Sequence, residues 1–255
     1  MSQPGRQAID WLSLPTMRPV AWWRDALRLW RRAPIRWVIA CVLVIAFEAP
    51  FQLIPYAGVA LSKVIGSLLG IGAYAVMDEL VRNGRFRWRE LFWSLRPRNF
   101  PAALVLAMVN LSLLAFDALA AFTAYGHAGV DRAIFGNFAQ HPELATDRFS
   151  LVVLLPGFVP ITLLMFAAPL VVLGGVSPLK AVAWSVRWLA SRPAAFAITL
   201  GIWWVLVAMA LTHKWLFLLV LPWGGAQVYA AYVDVFGRDA PPTREGLPPS
   251  PSPSP

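Results

Sequence analysis

The sequence predicts an all-α fold, a polytopic membrane bundle of about six transmembrane helices in three hairpins, each hairpin preceded by a basic amphipathic interfacial helix. Three observations predict it. Of 255 residues, 58% are hydrophobic and 14% charged, against roughly 45–50% and 25% in soluble domains, and the mean hydropathy is +0.61. Apolar runs fall at 37–55, 57–80, 100–124, 150–174, 194–212 and 215–236. Each is close to the ~20 residues that cross about 30 Å of hydrocarbon at 1.5 Å per residue. Finally, basic residues gather at alternate gaps between the runs, as cytoplasmic loops require.

The same composition excludes a soluble enzyme. The net charge of +9 lies beside the apolar runs rather than on a separate face, so nucleic acid is not an expected partner. A single cysteine, Cys41, excludes a disulfide framework and any cysteine-built metal site. Cys41 follows Val38-Ile39-Ala40, but its apolar run comes after rather than before it, so it is a packing residue and not a lipoprotein cleavage site.

In chain order, residues 1–18 read as a disordered cytoplasmic segment and 19–238 as the membrane domain. The first amphipathic stretch runs from Ala21-Trp22-Trp23-Arg24 to Arg31-Arg32 before Pro34, and the first two spans meet at Pro55-Tyr56. A second stretch, Trp88 to Arg96, precedes Pro97 and Pro101. The third starts at Ser177-Pro178 and passes through Trp184, Arg187 and Trp188 to Pro193; His213-Lys214 then joins the last two spans. Rings and guanidinium groups so arranged suit the headgroup level, where they meet anionic phospholipid. The loop at 125–148 is the one long connection on the opposite side. Residues 239–255, rich in proline and serine, read as a disordered cytoplasmic tail.

Counting by side, 18 Lys and Arg fall with the termini and Arg132, Arg148 and Lys214 on the other face. This predicts a multi-pass protein of a bacterial inner membrane with both termini inside. Units one and three also repeat: Arg28 to Pro34 aligns with Arg187 to Pro193, and Asp78 to Arg82 with Asp234 to Arg238.

Charges within spans need a partner or a purpose. Glu48 and Lys63 are symmetric about Pro55-Tyr56, which predicts an ion pair across the first hairpin about 11 Å from its turn. Asp117 falls at a similar depth, with Asn110 two turns deeper. Glu48, Lys63 and Asp117 therefore form a candidate polar cluster, either buried structural glue or a proton or cation relay. At the other boundary, Asp78 with Arg82 and Asp234 with Arg238 have the four-residue spacing of helical salt bridges. Ser62, Gly66 and Gly70 predict a face for close helix approach. Pro156, Pro160 and Pro169 predict a break in the fourth span, and Pro222 with Gly224 and Gly225 an interruption of the sixth.

There is no phosphate-cradling loop, paired-histidine metal helix or nucleophile elbow. His127, His141 and His213 are scattered, so neither cofactor, metal nor enzymatic activity is expected.

The chain resembles a family of uncharacterised polytopic inner-membrane proteins found mainly in proteobacteria. The resemblance rests on Leu29-Trp30-Arg31-Arg32-Ala33-Pro34 with Trp37, on Gly175-Val176-Ser177-Pro178 with Ala181 and Ser185, and on Tyr229-Ala230-Ala231-Tyr232-Val233-Asp234-Val235-Phe236. It implies a six-helix membrane domain and carries over no catalytic or binding residue. The expected function is that of a scaffold or accessory in envelope or lipid homeostasis, partnered by the bilayer and its anionic phospholipid headgroups. The alternative is a small transporter or channel using Glu48, Lys63 and Asp117.

Overall fold

Four prolines mark where helices begin. Pro34, Pro101, Pro178 and Pro193 each occupy the first or second position of a helix, where the missing N–H has no intrahelical acceptor to lose and φ is already helical. The computed structural model describes residues 18–237; the terminal segments predicted to be disordered lie outside them, apart from Arg18. Among the described residues the regular elements are all helical: α1 (Arg18–Trp30), α2 (Pro34–Gln52), α3 (Gly58–Asn83), α4 (Phe100–Ser112), α5 (Leu114–Ala133), α6 (Asp147–Leu163), α7 (Ala167–Val172), α8 (Pro178–Ala190), α9 (Pro193–Thr212) and α10 (Phe217–Phe236), with short 3-10 segments between them. Six stretches are long and apolar enough to cross a membrane: Pro34–Gln52, Gly58–Asn83, Phe100–Ala133, Asp147–Val172, Pro193–Thr212 and Lys214–Phe236.

These helices pack in sequence, α2 on α3, α3 on α4, α5 on α6, α6 on α9 and α9 on α10, while α10 also touches α2 and α3. The main core lies where α3, α4, α7, α8 and α10 converge, around Ile71, Ala107, Phe166, Leu170, Trp188 and Tyr232.

Helix α1 makes contacts that the sequence did not predict. Trp22 is 2% and Trp23 5% exposed, buried against other helices. Trp22 meets Trp188 of α8, and Trp23 packs edge-on against Trp203 of α9 and Trp223 of α10. The charged face, Arg24, Asp25 and Arg28, points outward. The apolar side of the helix found protein rather than lipid because α9 and α10 offer a matching aromatic surface.

The second basic, aromatic stretch also packs on protein. Trp88–Leu95 is a 3-10 segment that deviates from helical geometry at Phe92. It returns along α3, with Ser94 Oγ donating to Leu68 O at 2.6 Å and the Leu91 carbonyl pressed on Gly72, where a Cβ would collide with it. Gly72 and Leu68 lie about 16 and 22 Å along α3 from its end at Asn83. Of the predicted face, Ser62 is buried and Gly66 meets the Glu48 side chain, whereas Gly70 is exposed with open space beside it; Gly72 adds a close backbone approach that the sequence did not indicate.

Proline effects are divided. α10 runs unbroken through Pro222, and α6 through Pro156 and Pro160. The fourth span breaks later, between Leu163 and Ala167. There Ser185 of α8 donates its hydroxyl to Leu163 O at 2.7 Å and accepts from Phe166 N–H at 3.1 Å. One side chain thus satisfies both a carbonyl and an amide freed by the break, as a backbone away from water requires.

The 125–148 connection is more ordered than a loop. α5 turns at Gly126, whose φ of 62° and ψ of −150° suit a residue without Cβ, and continues to Ala133. Arg132 donates to the carbonyls of Phe138 and His141, each at 2.9 Å, and Asp131 accepts from Asn137. The Tyr56 N–H donates to Phe135 O at 3.0 Å, tying this connection to the α2–α3 turn.

Replacing Ser185 with alanine should lower the melting temperature, at a cost of about 1–3 kcal/mol for two orphaned buried backbone groups. An unchanged thermal transition in detergent would refute the bracing role.

Candidate functional site

The arginine-rich end of the bundle collects carboxylates and holds each with named partners. Asp78 accepts from Arg82 at 2.7 Å, the predicted four-residue pair, and also from the Tyr229 hydroxyl at 3.0 Å. Asp234 is engaged from α1 instead of from its own helix: Arg18 Nε donates to it at 2.7 Å, Arg18 Nη2 pairs with its second oxygen, and Trp22 Nε1 donates at 2.8 Å. That hydrogen bonding, with the charge of Asp234, holds the Arg18 guanidinium above its usual range. Arg238, the predicted partner, lies outside the described residues. Sequence spacing missed this contact because it joins residues at opposite ends of the chain, and no local pattern records such a pairing.

Two further acids on this side were not singled out from sequence. Glu79 pairs with Arg87 at 2.8 Å and accepts from Asn83 at 2.9 Å. Glu90 sits between Arg89 at 3.1 Å and Arg96 at 2.7 Å. Arg89, Glu90, Phe92, Leu95 and Arg96 line an open depression of about 580 Å³ on the returning 3-10 segment.

Toward the opposite end lie Glu48, Lys63 and Asp117, and the expected pairing is rearranged. Lys63 Nζ reaches Asp117 Oδ2 at 3.3 Å, not Glu48. The Glu48 carboxylate rests on α3 at Gly66, nearly a turn beyond Lys63, where a Cβ would displace it. Asp117 is seated in the same manner on Gly157 of α6 and is 5% exposed. Two bare glycine backbones receive the two carboxylates, which draws Glu48 away from the symmetric position and leaves Lys63 to Asp117. Asn110 Nδ2 donates to Ser67 Oγ at 3.3 Å one turn further in. The cluster joins α2 to α3, α3 to α5 and α5 to α6.

A third set carries no charge. Thr162 of α6, Thr199 of α9 and Gln227 of α10 are 2%, 0% and 0% exposed, and none of their polar side-chain atoms has a partner. Helix register places them at one level. Trp203 stacks on Phe158 and fills the space beside Gly224; Thr199, Thr162 and Gln227 each lie about one turn from those residues, on the same side. Other helix hydroxyls, Ser62, Ser112 and Thr123 among them, bond back to a carbonyl three residues earlier.

The histidines do not converge: His141 lies 3.1 Å from Asp131, His127 packs on Phe122, and His213 is exposed. Among the described residues no three His, Cys, Asp or Glu side chains group as metal ligands. No family model, curated protein or solved structure matches the chain. The functional reading therefore stands on these contacts alone.

Two measurements follow from the geometry. Lys63→Met alone strands a buried carboxylate and should cost about 3–5 kcal/mol, whereas Lys63→Met with Asp117→Asn should recover much of that loss; strictly additive unfolding energies would dissolve the pair. Gln227→Met replaces an unsatisfied buried amide with an apolar chain of similar length and should leave stability unchanged or raise it by about 1 kcal/mol. A drop of several degrees in melting temperature would contradict that assignment.

Proposed function

We propose that this chain is a multi-pass scaffold or accessory protein of a bacterial inner membrane, serving envelope or lipid homeostasis, with both termini in the cytoplasm. The six apolar helices are compatible with an integral membrane protein. The observation that favours scaffolding over transport is the state of Asp117, paired with Lys63 and sealed on Gly157 at 5% exposure. A relay group must exchange protons or ions with water on at least one side, and a carboxylate so enclosed serves better to fasten helices.

The proposed partners are anionic phospholipid headgroups and a protein not yet identified. The outward cations Arg24, Arg28, Arg31, Arg32 and Lys180, all exposed, support the first, each basic group near an anionic leaflet contributing roughly 1 kcal/mol. Neither catalysis nor a cofactor enters this reading. Membership in the inner-membrane family that the sequence resembles belongs to the same proposal.

The transporter alternative makes an opposite prediction about Asp117. In proteoliposomes, proton and monovalent-cation flux should equal that of protein-free vesicles and should not respond to Asp117→Asn, while a stoichiometric partner should co-purify through detergent. Flux above background that Asp117→Asn abolishes would replace the scaffold with a transporter.

A further inference from the structure

We propose that the depression on the returning 3-10 segment is a site for one anionic phospholipid, with Arg89 and Arg96 holding its phosphate and Phe92 and Leu95 its acyl region. The proposal rests on the reading of this chain as a membrane protein whose arginine-rich end meets anionic lipid, and it assigns that contact to particular residues.

The depression has the chemistry of an amphiphile's boundary. Two guanidinium groups form its polar wall, and two exposed apolar side chains, Phe92 at 39% and Leu95 at 47%, form the other. Glu90 braces the guanidinium groups without consuming them. It takes Nε of Arg89 and one terminal nitrogen of Arg96, and both terminal nitrogens of Arg89 are without a partner among the described residues. With one carboxylate against two guanidinium groups, the lining keeps a net positive charge, and its remaining N–H groups form the planar fork that suits phosphate. A volume of about 580 Å³ is in the range of small-ligand sites, large enough for a headgroup and the start of an acyl chain.

Depth supplies the second argument. Beside this segment, the Leu91 carbonyl meets Gly72 and Ser94 bonds to Leu68, about 16–22 Å along α3 from its arginine-rich end. Six residues later the chain enters α4, a span of mean hydropathy 2.1 with α5. A guanidinium group exposed beside such a span draws water and phosphate toward itself. Basic pockets between spans on the cytoplasmic side select anionic headgroups for this reason.

The test is native mass spectrometry of the full chain in detergent, offered equal amounts of phosphatidylglycerol and phosphatidylcholine. The wild-type chain should retain a single phosphatidylglycerol with about tenfold preference or more. Arg89→Ala with Arg96→Ala should abolish the preference, whereas Arg24→Ala with Arg28→Ala should leave it intact. Equal loss in both double variants would overturn the site while leaving a generally lipid-facing basic surface in place. Wild-type preference in the Arg89/Arg96 double variant, or displacement of the lipid by an equal concentration of inorganic phosphate, would also overturn it. Should the alanine pair lose its melting transition, Arg89→Lys with Arg96→Lys decides: it keeps the charge but loses the fork, so a preference reduced severalfold supports the site and an unchanged one refutes it.

Discussion

A backbone surrounded by hydrocarbon can hydrogen bond only with its own chain, and every irregularity in this bundle is arranged around that demand. Where the fourth span breaks between α6 and α7, Ser185 arrives from α8 with one hydroxyl that both donates and accepts. Where the chain returns beside α3, Ser94 caps the segment onto Leu68. The sharpest backbone departure, at Gly126, is placed near the end of the bundle. Prolines inside α6 and α10 are tolerated because neighbouring helices enclose them: Pro160 and Pro222 are both buried.

Charge follows a parallel logic with two solutions. At the arginine-rich end, Asp78, Glu79, Glu90 and Asp234 each have an arginine partner; Arg18 with Asp234 joins α1 to α10, and the other pairs are local in sequence. Several of these pairs are well exposed and individually contribute little. Toward the other end, Asp117 is paired with Lys63, and both Glu48 and Asp117 are laid on glycines that remove any side chain from their path. An added methyl group at Gly66 or Gly157 would displace a carboxylate before it disturbed any apolar contact.

Much of the architecture was legible because hydrophobicity and length act locally. Six runs gave six spans, Pro34 and Pro193 marked real starts, and Asp78 found Arg82 at the spacing a helix imposes. What escaped was decided by partners remote in sequence. Nothing near Trp22 or Trp23 indicates that α9 and α10 would supply aromatic surfaces, so the burial of these two rings against protein was not legible. Likewise, mirror symmetry about Pro55-Tyr56 matched Glu48 with Lys63 correctly in depth to within a turn, but Gly66 and Asp117 determined which contact formed. Pro156 and Pro160 announced a break that Ser185 allowed to fall later.

Helix α1 is joined to α10 by the longest-range side-chain contacts described, Arg18 to Asp234 and the Trp23 carbonyl to Trp223 Nε1. On a ribosome the first of these helices emerges while the last has not been made, so α1 must wait through the synthesis of about 200 residues for the surface it buries. Trp188 of α8 and Trp203 of α9 reach Trp22 and Trp23 first, and Trp223 and Asp234 of α10 come last. A nascent chain halted before α10 would leave its oldest helix without the contacts that fasten the two ends of the bundle.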